Sequence, residues 1–167
     1  MVITLMKKIL MHAPAVCLIS SSLMLIFAYS LEHLSGLVPC EMCLWQRWPL
    51  FLVVFFSILS ILVFKKYSNL FILFAGSSFL ISGFLGIWHS GYEMGYLPGP
   101  TSCSNNNISL QSNFEEILNQ SMVSCQDILW SFLGISLAGW NAIISLLLAT
   151  FCFISLINNR LNYESKY

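Results

Sequence analysis

The chain has 167 residues, 57% of them hydrophobic and only 8% charged, with no formal net charge. An ordinary soluble domain carries about 25% charged residues, so a water-facing globule is excluded and a surface made mostly of lipid contacts is implied. No basic run occurs, which argues against nucleic acid as a partner.

Four apolar stretches, approximately 13–31, 45–64, 70–88 and 132–157, reach the roughly 20 residues that a bilayer span requires. None has an acid or base in its middle. The first follows Lys7 and Lys8, as a signal peptide would. Its apolar run is too long for an ordinary signal core and no small-residue cleavage site follows, so it is expected to be retained as a helix. A short link with Gly36 and Pro39 leads to Cys40-Glu41-Met42-Cys43, a C-x-x-C pair at the mouth of the second stretch. Lys65 and Lys66 mark a tight turn into the third stretch, where Ser78, Ser82 and Gly86 recur every four residues. In the fourth, Gly134, Ala138 and Ala142 do the same. Small residues at this spacing let helices approach closely in lipid. Trp45, Trp48, Trp88 and Trp130 fall near the ends of the stretches, as an aromatic belt does.

Between the third and fourth stretches, 90–131 is the sizeable aqueous segment. Its opening glycines and prolines predict turns. Leu110, Phe114, Ile117 and Leu118 share a helical face, which predicts a short helix along the membrane surface. Lys7, Lys8, Lys65, Lys66, Arg160 and Lys166 all fall on one side if four helices alternate, and that side is expected to be cytoplasmic. The other side carries Arg47 and six of the seven acids. The expected architecture is an all-α four-helix transmembrane bundle, a single integral membrane domain over 1–167 with both termini in the cytoplasm.

The six cysteines divide by depth. Cys17 and Cys152 fall within the first and fourth helices and are read as small buried apolar residues. Cys40 and Cys43 open the second helix, with Pro39 suited to its first position. The positive end of the helix dipole and Arg47, one turn on, both favour thiolate, the reactive form. An inert disulfide or half of a zinc site would use the same spacing. Cys103 and Cys125 enclose 21 residues of the outer segment. They could simply staple the loop, contributing about 3 kcal/mol. Beside a reactive dithiol on the same face they could also exchange with it through a mixed disulfide. Arg47 at the bilayer rim needs a partner or a function. It could snorkel to head groups, or it could stabilise a carbonyl acceptor that becomes anionic on reduction. His89, ending the third helix at a similar depth, could deliver a proton. His12 and His33 have no comparable setting.

These residues together resemble the disulfide bond formation protein B (DsbB) family. The resemblance rests on Pro39-Cys40-x-x-Cys43-x-x-Gln46-Arg47, on Trp88-His89, on Leu97-Pro98-Gly99-Pro100-Thr101-Ser102-Cys103, on Cys125, and on the run from Trp130 to Asn141. Gln46 departs from members that have Glu there. The resemblance implies a quinone-reducing thiol oxidase of the bacterial inner membrane, using ubiquinone or menaquinone. Its partner would be a soluble, thioredoxin-like periplasmic dithiol protein of the DsbA type. It implies Cys40 and Cys43 as the quinone-linked pair, Cys103 and Cys125 as the pair that meets the partner, and Arg47 and His89 as quinone-site residues, with no metal. Two alternatives stand beside it. One is a bundle like vitamin K epoxide reductase, against which the position of C-x-x-C at the start of helix 2 argues. The other is a zinc-stabilised membrane adaptor built on the same four cysteines.

Overall fold

A computed structural model describes residues 12–63, 67–100, 125, 126, 128 and 130–164. Lys7, Lys8, Lys65, Lys66, Cys103, Lys166 and the surface helix expected around Leu110–Leu118 lie outside the described residues. Four long helices follow in chain order: α1 (Ala13–Ser35), α2 (Glu41–Ile58), α3 (Ser68–Glu93) and α4 (Leu137–Glu164). Each is long and apolar enough to cross a membrane, so the four-helix multi-pass expectation holds. α2 continues into a short π-helical turn, Leu59–Val63.

Local chemistry explains where the helices begin and end. α1 runs four residues beyond the expected 31 and stops at Gly36, whose φ of 66° is the left-handed conformation that a helix end favours. α2 starts at Glu41, earlier than the apolar pattern shows. Its N-cap is Cys40, whose Sγ accepts from the Cys43 backbone N–H at 3.3 Å. Pro39 therefore precedes the cap instead of opening the helix. α3 extends through Glu93 because Ser90 and Gly91, which read as turn formers, stay in the helical ladder. The chain then folds back, with Trp88 Nε1 donating to the Pro98 carbonyl at 3.0 Å. α4 starts later than expected, because Ser131–Phe132 and Ile135–Ser136 pair as a two-residue antiparallel hairpin, β1 and β2. Its turn holds Leu133 and Gly134 at φ 54° and 77°, the pattern of a type I′ hairpin turn. Gly134 therefore belongs to this turn and not to the small-residue stripe of α4.

α3 is the central helix, packed chiefly against α4 and α2, while α1 leans mainly on α2. Bulky side chains such as Leu23, Leu62, Phe84 and Leu147 point outward, all at least 60% exposed. The interior is rich in small residues, including Ser21, Ala75, Ser82, Ala149 and Ser145, packed beside Leu50, Val53 and Phe79. This inside-out distribution suits lipid as the solvent, where close backbone packing replaces hydrophobic burial. Cys17 and Cys152 belong to the lower core, fully buried with their sulfurs 2.9 Å apart. Replacing both by alanine is expected to leave thiol oxidation intact, as steady-state assays would show; loss of turnover in folded protein would place them in the chemistry.

Candidate functional site

At the opposite end of the bundle, α2, α3 and the segment before α4 bring sulfur, imidazole and carboxylate together. Cys40 is buried and Cys43 half-buried; both are unbonded, with their sulfurs 3.1 Å apart. Cys40, Met42 and Cys125 form one buried cluster, flanked by Cys43, Trp88 and Tyr92. Cys125 is disulfide-bonded. A disulfide sulfur is not a zinc thiolate, so the four-cysteine zinc alternative lacks one of its ligands here.

His89 is buried behind this pair. Its Nε2 lies 3.5 Å from Cys40 Sγ and 3.7 Å from Glu93 Oε1, one turn along α3. The ring also bonds the Cys125 backbone. The Cys40 thiol is held well below the ordinary thiol range. The Cys43 thiol stabilises its thiolate most, burial opposes this, and His89 adds a hydrogen bond and a favourable charge.

Cys43 faces the other way, onto a cavity of about 360 Å³ between α1, α2 and α4. The walls are apolar, with Phe27, Leu31, Trp130 and Trp140 among them, and Arg47, Glu32, Gln46 and Asn141 are its polar members. Arg47 Nη1 donates to Glu32 Oε2 at 2.6 Å, and its guanidinium lies 4.6 Å from the Tyr29 ring centroid. An anchored, largely desolvated cation of this kind is strongly stabilised by its carboxylate and by the ring face. So anchored, Arg47 forms part of the cavity wall.

A line of polar side chains joins the cavity to His89. Asn141 Nδ2 donates to Gln46 Oε1 at 2.6 Å, and Gln46 Nε2 lies 2.8 Å from His89 Nδ1. Asn141 also donates to Ser82 Oγ at 3.2 Å, and Ser82 Oγ donates to the Gln46 carbonyl at the same distance. Inside lipid, unsatisfied polar groups are costly, and this network leaves none of these groups alone. With Gln46 donating to Nδ1, the neutral imidazole carries its proton on Nε2, facing Cys40 and Glu93. His89 itself does not line the cavity; Gln46 stands between.

Of the residues singled out from sequence, Cys40, Cys43, Cys125, Arg47 and His89 converge at this end, and Cys103 is outside the described residues. Glu32, Tyr29, Glu93, Gln46 and Asn141 were given no role by the sequence. Gln46 and Asn141 carried a signal, the one beside Arg47 in its motif and the other at the end of the run from Trp130 to Asn141; the others meet the site through tertiary packing.

No solved structure matches the chain. It is 30% identical over 125 residues to a disulfide bond formation protein B of Polaromonas sp. strain JS666, covering 71% of this chain and 73% of the relative. It is also 30% identical over 135 residues to one of Acinetobacter baumannii, covering 75% and 78%. An uncharacterized protein of Rickettsia prowazekii is 26% identical over 131 residues, 74% of each chain. The family described as disulfide bond formation protein DsbB matches residues 11–155. That match takes in three helices whole and most of α4, together with the cysteines of the site, and the chain belongs to the DsbB family.

Proposed function

We propose that this disulfide-forming membrane protein is a quinone-dependent thiol oxidase of the bacterial inner membrane. It reoxidises a soluble periplasmic dithiol protein of the DsbA type and so sustains disulfide formation in secreted proteins. The observation that carries the reading is the division of the C-x-x-C pair: Cys43 faces the apolar cavity with Arg47, while Cys40 packs against Cys125. The positive-charge bias supports a single membrane unit with both termini cytoplasmic and 90–131 in the periplasm.

The cavity fits a quinone, ubiquinone or menaquinone, since flat apolar walls suit its ring and an Arg47 N–H suits a carbonyl oxygen. A quinone held there would supply the two-electron, two-proton acceptor that closure of the Cys40–Cys43 dithiol to a disulfide requires. Arg47 stabilises negative charge on the carbonyl oxygen, and Glu32 and Tyr29 hold Arg47 in position. His89, with its Nε2–H beside Cys40, stabilises the Cys40 thiolate by donating a hydrogen bond to it.

The outer pair completes the circuit by exchange. Cys103 is the sixth cysteine and the natural disulfide partner of Cys125. A partner thiolate attacks Cys103 and displaces Cys125. The freed Cys125 attacks Cys40, its packing neighbour, and releases Cys43. The partner's second thiol then releases Cys103, which attacks Cys125 and frees Cys40. Each step forms one S–S bond and breaks one.

Removing Cys125 tests this order. Mixed with the oxidised partner, Cys125→Ala should hold a mixed disulfide, because the lone Cys103 thiolate opens the partner's disulfide and has no Cys125 to resolve it, visible on a non-reducing gel. Trapping through Cys40 or Cys43 in that variant would mean that the partner bypasses Cys103 and would overturn this order.

A further inference from the structure

We propose that Cys40, Cys43, His89 and Glu93, when the cysteines are reduced, form a binding site for a thiophilic divalent cation such as Zn²⁺, and that the bound ion locks the pair as a dithiol. The proposal rests on the oxidase reading only in that the pair must visit the reduced state.

Three of the four donors already converge, and Glu93 stands beside the third, His89, as the candidate fourth. Cys40 Sγ, Cys43 Sγ and a ring nitrogen of His89 all lie within 4.8 Å of one another. The Cys40–Cys43, Cys40–His89 and His89–Glu93 separations are 3.1, 3.5 and 3.7 Å. Zinc bonds to sulfur and to nitrogen or oxygen imply tetrahedral edges of about 3.8 Å for S–S, 3.5 Å for S–N and 3.4 Å for N–O. Each observed separation differs from its ideal by less than a side-chain adjustment. Two thiolates and a carboxylate around an imidazole also satisfy the preference of zinc for mixed sulfur and nitrogen ligands.

Glu93 is the independent observation. Its side chain is only 6% exposed. Its Oε2 is buried with no hydrogen-bond partner. A carboxylate oxygen left without a donor at this depth is costly. A cation beside it removes that cost, and the two thiol protons leave as the ion binds.

The surroundings supply the outer support that metal-bound histidines require. With the metal on Nε2, the proton sits on Nδ1 and needs an acceptor. Rotating the Gln46 and Asn141 amides together by half a turn presents Gln46 Oε1 to Nδ1 and lets Asn141 Oδ1 accept from Gln46 Nε2. The Cys125 backbone gives up its bond to His89 in exchange. Metal binding therefore competes with the docking of Cys125 against Cys40 as well as sequestering both sulfurs.

The test is a titration of the full chain in detergent, reduced with a phosphine and freed of chelators, with Co²⁺ alone. One equivalent should produce the absorption of tetrahedral, thiolate-bound Co²⁺, and Zn²⁺ should bleach it. Protein oxidised beforehand should give none. Cys17→Ala with Cys152→Ala should leave the signal unchanged, since the inner pair is not the ligand. His89→Ala and the isosteric Glu93→Gln should each weaken binding by at least about tenfold. Zinc-loaded protein should also resist reoxidation by diamide, measured as free thiols, by a similar factor. No tetrahedral signal in the reduced protein, or equal affinity in both variants, would overturn the site. An unchanged diamide rate would overturn the lock. None of these readouts involves quinone or partner, so they stand apart from failure of the oxidase reading.

Discussion

Arg47→Ala is expected to raise the quinone KM, or slow quinone reduction, by roughly ten- to a hundredfold, the equivalent of a charge-assisted hydrogen bond of about 1.5–3 kcal/mol. The substitution removes the cation of the cavity and leaves Glu32, with its side chain 26% exposed, without its 2.6 Å partner. It should spare the mixed-disulfide trap seen in Cys125→Ala, because that step takes place on the other side of Cys40. Arg47→Lys restores the charge but not the planar fork that reaches Glu32 while lying over Tyr29. Recovery in the lysine variant should therefore be partial. Steady-state kinetics with varied quinone measures both; unchanged quinone kinetics in Arg47→Ala would reduce Arg47 to a structural anchor.

The second large effect lies in the bundle. Gly86→Ala should destabilise the protein by about 1–3 kcal/mol, and Gly86→Val by more. A Cβ at position 86 would stand 2.9 Å from the Ala142 N, 3.0 Å from the Ala138 carbonyl oxygen and 3.0 Å from the Ala142 Cα. All three are backbone atoms of α4 and cannot rotate aside. The helices must separate, and with them Ser82 from Asn141, which sit at 3.2 Å on the same interface. Thermal unfolding in detergent should show the drop, accompanied by a weaker affinity for quinone. Phe84→Leu, on the lipid face at 62% exposure, should show neither. Equal stability of Gly86→Val and the parent would mean that α3 and α4 are not held by backbone contact.

These two residues also show what could be read from the chain beforehand. The four spans were legible because lipid imposes a length and an apolarity that few other settings do. Gly86 announced close packing by its spacing from Ser82 and Ser78. The boundaries were less legible. Phe132, Leu133 and Ile135 are as apolar as the helix they precede, so hydropathy alone cannot separate the hairpin from α4. Glu41 and the two thiols fall outside the apolar stretch for the opposite reason, so hydropathy starts α2 late, while Pro39 and the C-x-x-C spacing mark them as its first turn. The C-x-x-C pair and Arg47 carry a local signal, since one helical turn relates them. Glu32 is 15 positions from the arginine it holds, and Asn141 is 95 from Gln46. Such pairings arise from helix packing and leave no pattern within any one segment. Glu93 looked like one more acid of the outer loop until α3 was seen to continue through it.

The account turns on one claim, that electrons leave the C-x-x-C pair for a quinone. The direct measurement mixes purified protein, carrying its extracted and identified quinone, with a reduced DsbA-type dithiol protein while quinone absorbance and partner thiols are followed together. The account predicts one quinone reduced for each partner dithiol oxidised, and no quinone reduced in Cys43→Ala. Partner oxidation with the quinone untouched, or undiminished quinone reduction in Cys43→Ala, would contradict it.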